Sequence, residues 1–94
     1  MRITNGTNDP VEWEQNGSGG SGLATESQSG ELTGLQGTGP IQPVGSPPWA
    51  VTFTNLNKPS QTVDSPKFSD PEATVTLNAD WTVTVSGSAG GGDR

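Results

Sequence analysis

Three tryptophans and a scatter of carboxylates are the side chains of this sequence with chemistry to offer, because histidine, cysteine and tyrosine are absent. An indole face can stack on a sugar ring, and two indoles are placed to present one. Trp49 follows the Pro47-Pro48 loop, and Trp81 opens a strand directly after Asp80. Trp49, Trp81 and Asp80 are therefore the candidate ligand-binding residues. The competing account is packing: Trp13, Trp49 and Trp81 each sit in phase with aliphatic neighbours, and on that account all three belong to the core.

Asp64, Asp70 and Glu72 lie close in sequence and are the candidate metal ligands, with Asp9, Glu12 and Glu14 as a second acidic group. Calcium takes about six to eight oxygen ligands, often from alternating loop positions, and no D-x-D-x-D loop occurs here. Asp9 and Asp70 also precede prolines, where a side-chain oxygen that closes a turn explains them without a metal. Catalysis has less support still. General acid-base work at neutral pH draws mainly on histidine and covalent work on cysteine or an activated serine, so the chain is expected not to be an enzyme and to need no cofactor.

Charge narrows the partners. Ten acidic and four basic residues give a net charge of −6, and two of the bases, Arg2 and Arg94, stand at the chain ends. Such a chain cannot neutralise a row of phosphates, which excludes nucleic acid and anionic membrane surfaces as expected partners. No apolar run is long enough for a membrane-spanning helix, and Met1-Arg2-Ile3-Thr4-Asn5 lacks the apolar core of a cleavable signal peptide. The expectation is a soluble protein, cytoplasmic or exported by a route that needs no such signal. Without cysteine, neither disulfides nor thiolate metal sites can support a core that draws on only 27% apolar residues.

The elements that must position these residues are strands. Residues 73–85 alternate valine, leucine and tryptophan with threonine, which places Val75, Leu77, Trp81, Val83 and Val85 on a dry face and Thr74, Thr76, Thr82 and Thr84 on a wet one. The parity predicts a hairpin that pairs Leu77 with Trp81 and Val75 with Val83 across the loop Asn78-Ala79-Asp80, with positive φ at Asp80. Trp49 to Asn55 is a second clear strand, with Trp49, Val51 and Phe53 inward. Val11 to Gln15 is a third, ended by the turn dipeptide Asn16-Gly17.

Weaker strands are expected at 2–4, from Leu23 to Thr33 with Leu23, Leu32 and Leu35 as anchors, and at Gln61-Thr62-Val63 on an edge. Gly17 to Gly22 reads as a flexible hairpin loop, with an inserted linker as the alternative, and Gly37 to Pro48 as an extended proline-rich loop. The whole predicts one domain over residues 1–86 and a flexible tail over 87–94. Its fold class is all-β: a small antiparallel β-sandwich, immunoglobulin-like in topology, or an open barrel, with six or seven strands and long Gly/Pro-rich loops. The function expected of it is a non-catalytic binding or protein-interaction module, exported or surface-displayed, that contacts a protein or glycan through loops or sheet edges. Self-association through an edge such as Gln61 to Val63 is one form of this. The alternative is a glycan- or cation-binding protein that sets an exposed tryptophan beside acidic loop residues.

Overall fold

Alternation of side chains carries the architecture. In a computed structural model that describes residues 1–18 and 26–87, seven strands form two sheets: β1 (Arg2–Asn5), β2 (Val11–Ser18), β3 (Glu26–Leu32), β4 (Ser46–Asn55), β5 (Lys58–Asp64), β6 (Thr74–Leu77) and β7 (Val83–Ser86). One sheet has the order β3-β2-β4-β5 and is antiparallel throughout; the other has the order β1-β6-β7, with β1 parallel to β6. The protein is an all-β sandwich whose sheets remain open at their flanks and close into no barrel. Among the described residues no helix is long and apolar enough to cross a membrane.

The inward-facing residues meet in one core. Ile3, Val11, Val51, Phe53, Val75 and Leu77 are fully buried, and Trp13, Leu32, Trp49 and Phe68 nearly so. Trp49 and Phe68 form a backbone bridge and a tilted aromatic pair with ring centroids 6.0 Å apart. Close packing is enabled at Gly30, where a side chain would collide with the Trp13 indole at 2.9–3.0 Å, so the ring lies flat across the β3 backbone.

Several expectations change in detail. The final hairpin pairs Leu77 with Val83 and Val75 with Val85, a shift of two residues that keeps the parity but lengthens the connection to Asn78–Thr82. The positive φ falls on Trp81 (65°) instead of Asp80. Carboxylate hydrogen bonds explain this: Asp80 Oδ1 accepts from Thr82 N (3.2 Å) and Thr82 Oγ1 (2.6 Å), while Trp81 N donates to Asn78 O (2.9 Å), and these bonds close a wider turn around the indole.

Asn16-Gly17 makes no turn. β2 continues through it to Ser18, with a register shift, because the backbone of Val44 and Gly45 presses against Gly17 where any side chain would stand. Leu35 is not an anchor: it is 69% exposed at φ 61°, since the chain turns there to run along β1. Pro47 and Pro48 belong to the start of β4, and the edge strand at 61–63 extends over Lys58–Asp64. Leu23, most of the Gly17–Gly22 tract and the tail beyond Gly87 lie outside the described residues.

Candidate functional site

Inward parity also buries polar side chains, and each makes hydrogen bonds within the fold. Gln15, fully buried on β2, donates from Nε2 to Val44 O (3.1 Å) and accepts at Oε1 from Val44 N (2.8 Å) and Gln28 Nε2 (3.0 Å), so its amide stands in for a strand partner of the 42–45 loop. Asn5 does the same for the opposite loops: Nδ2 donates to Asp9 O (2.8 Å) and Thr33 O (3.1 Å), and Oδ1 accepts from Thr7 N (3.0 Å) and Thr7 Oγ1 (2.7 Å). Asn55 ties β5 back through Gln61 Oε1 (2.9 Å). Bonded in this way to loop backbone and neighbouring strands, these side chains tie the loops to the sheets. The parity of β2 was the signal that could have found Gln15, which continues the series Val11, Trp13.

The residues singled out for chemistry are not brought together. Trp49 is buried (7% exposed), and its Nε1 donates to Gly45 O (3.1 Å), so its ring offers no face to a sugar. Trp81 is half-buried against the core beside Asp80. The hydrogen bonds from Thr82 hold the Asp80 carboxyl below its ordinary pKa. Asp64 accepts from Thr52 Oγ1 (2.7 Å) on the outer face of the four-stranded sheet, while Asp70 Oδ1 accepts from Glu72 N (2.9 Å) in the turn that leads to β6. Among the described residues no three acidic side chains converge in a way that could hold a metal ion.

The open surface of the molecule is found at its sheet edges, and the four edges are unequal. β1 is occupied along its outer side by the chain that leaves β3: Asn5 N donates to Gln36 O (2.7 Å), Thr38 N to Ile3 O (2.8 Å) and Ile41 N to Met1 O (2.8 Å). β3 carries Glu26, Glu31 and polar residues along its length. β5 contains Pro59 and breaks register between Asn55↔Lys58 and Thr54↔Thr62, which bulges out Pro59, Ser60 and Gln61. Charge, proline and bulges are the devices that keep an edge from accepting another strand.

β7 has none of them. Val83-Thr84-Val85-Ser86 is uncharged, regular and free of proline, and among the described residues no strand lies beyond it. Asn78 N donates to Thr82 O (2.8 Å), so the alternation of an antiparallel ladder turns the N–H and C=O of Thr84 and Ser86 toward β6. The N–H and C=O of Val83 and Val85 therefore point outward. Because the segment after β3 runs beside β1, those two strands share one flank and β5 and β7 share the other. There Val63, Trp81, Val83 and Val85 pack against the core yet stay partly exposed.

No family model, no curated protein and no solved structure matches this chain.

Proposed function

We propose that this protein is a non-catalytic interaction module whose β7 edge takes an extended segment of a protein partner. The observation that carries the reading is the coincidence, on one four-residue strand, of outward-pointing backbone groups at Val83 and Val85 with half-exposed apolar side chains at the same residues. An added strand gains affinity from main-chain hydrogen bonds and specificity from the side chains that alternate into the adjacent apolar flank. Here it would cover Val83 and Val85 and meet Trp81 and Val63.

Proline substitution separates this from general destabilisation. Val85→Pro deletes an outward donor that the fold does not use, whereas Thr84→Pro deletes one that pairs with β6. Peptides selected from a displayed random dodecamer library should shift the amide resonances of Val83 to Ser86, and should lose most of their affinity for Val85→Pro while its fold persists. Selected peptides that bind Val85→Pro as well as the parent chain, or a library that yields none, would count against the reading.

A second reading rests on Trp81, whose half-exposed indole stands next to an ionised carboxylate and offers a stacking platform for a glycan. Its test is a glycan array probed with the parent chain and Trp81→Ala: array binding that the substitution removes supports stacking, and an array with no binder excludes it.

A further inference from the structure

We infer that a second binding site lies on the outer face of the four-stranded sheet, over Ala50, and takes a cyclic hydroxy acid with a single negative charge, such as a hexuronic acid residue. It is separate from the β7 edge and does not depend on the reading of that edge. An open cavity of about 330 Å³ is bounded there by Asn16, Gly17, Pro48, Ala50 and Lys67, with Ser18 at its margin. That volume is at the lower end of the range for small-molecule sites.

Strand parity builds the cavity. Asn16 pairs with Ala50, and the antiparallel bridge between Trp49 and Phe68 sets Ala50 opposite Lys67. Trp49 and Phe68 are buried, so their neighbours Ala50 and Lys67 face outward, on the side that Asn16 also takes. The row Asn16-Ala50-Lys67 thus sets one methyl group between two longer polar side chains, and that methyl is the floor of the depression. Two strand spacings, about 10 Å, separate Asn16 from Lys67 at the backbone, room for one six-membered ring. Pro48 stands at the rim because β4 bulges: between Asn16↔Ala50 and Ser18↔Ser46 it places Pro47, Pro48 and Trp49 against Gly17 alone.

The chemistry of the ligand follows from groups that the fold leaves unused. Among the described residues neither the Asn16 amide side chain nor the Lys67 ammonium has a hydrogen-bond or ion-pair partner. An ammonium suits a carboxylate, and an amide, which both donates and accepts, suits hydroxyls. The Ala50 methyl and the Pro48 ring suit the apolar face of a sugar ring. The next row along the same face is Glu14-Thr52-Asp64. Its two carboxylates repel a multiply charged phosphate and accept hydroxyl donors, so one negative charge among several hydroxyls meets the demands of both rows.

The test titrates methyl glucuronide, neutral methyl glucoside and inorganic phosphate into the full chain and follows amide shifts. Methyl glucuronide should move the resonances of Asn16, Ala50 and Lys67 and bind about three- to fivefold tighter than the glucoside, with phosphate no better than the glucoside. Lys67→Gln should bring the two sugars to equal affinity. Ala50→Val fills the floor at an outward strand position and should abolish the shifts from both sugars, while the resonances of Val83 to Ser86 stay in place. Equal binding of the two sugars by the parent chain would overturn the anionic ligand, and phosphate as the tightest of the three would overturn the single charge. Absence of shifts at Asn16, Ala50 and Lys67, or shifts that survive Ala50→Val, would overturn the site itself.

Discussion

Asn5→Asp changes one NH2 group to an oxygen and tests whether a buried amide holds the loops together. In the native chain Nδ2 donates to Asp9 O at 2.8 Å and Thr33 O at 3.1 Å, while Oδ1 accepts from Thr7 N and Thr7 Oγ1. The substitution leaves the acceptor side intact and turns both donor contacts into oxygen facing oxygen. Two acceptors lose their partner at about 1 kcal/mol each, the low end because Asp9 and Thr33 are within reach of water, and burial of the new carboxylate adds about 1 kcal/mol or more. The expected loss near neutral pH is about 3 kcal/mol, out of roughly 5–14 kcal/mol for a 94-residue domain. A domain of this size should then melt about 12–24 °C lower.

The loss should depend on pH. Burial and the facing carbonyls raise the folded-state pKa of the introduced carboxyl above its unfolded value of about 3.9. Its contribution is therefore fully restored below that unfolded value, where a protonated oxygen can donate to one carbonyl, and is lost as pH rises through the folded value. Urea denaturation followed by tryptophan fluorescence, at pH 3 and pH 7, measures both quantities. A difference from the parent chain of under about 0.5 kcal/mol at pH 7, unchanged on acidification, would refute the assignment of donors to Asp9 O and Thr33 O. The substitution is also the product of deamidation, to which an Asn-Gly pair is prone through attack of the glycine nitrogen on the side-chain amide. Gly6 N instead donates to Leu77 O at 2.7 Å, so Asn5 should deamidate far more slowly in the folded chain than in urea.

Gly30→Ala forces a methyl group into the Trp13 indole, with contacts of 2.9–3.0 Å to be relieved, and should cost about 1–3 kcal/mol with a change in tryptophan emission, read by thermal and urea denaturation. For the Asp80 carboxyl, an NMR titration should give a pKa below the ordinary value of 3.8, and Thr82→Val, which removes the hydroxyl donor, should raise it toward that value. Because the folded value is depressed, any stability linked to this group is present above 3.8 and disappears as pH falls through the folded pKa. Acrylamide quenching should reach one indole of the three, and Trp81→Phe should abolish the quenchable component while Trp13 and Trp49 stay shielded.

What the sequence made legible was parity. Val11, Trp13, Val51, Phe53, Val75 and Leu77 face inward because side chains alternate across a strand whatever its partners, and that holds in both sheets. Parity is blind to a shift of two residues, which is why the pairing of Leu77 moved from Trp81 to Val83 without turning a single valine over. It is equally blind to the parallel pairing of β1 with β6, which depends on where the chain crosses between sheets. Turn dipeptides misled for a related reason. Asn16-Gly17 has the local preference for a turn, but the approach of the 44–45 backbone needs a residue without a side chain at Gly17, and that tertiary demand prevails.

The candidate site was legible in kind but not in place, because an open edge is a property of strand order. Gln61 to Val63 does lie on an edge strand, yet Pro59 and the bulge beside it disrupt the ladder there, while β7, which reads in sequence as the second arm of a hairpin, ends its sheet without any such device. The long polar loops explain the asymmetry. Asn5, Gln15 and Thr38 bind the chain after β3 down along the flank of β1, which seals that side with hydrogen bonds. On the opposite flank the direct turn from β6 into β7 leaves no length of chain between them to cover the last strand, and Val83 and Val85 stay partly in water for that reason.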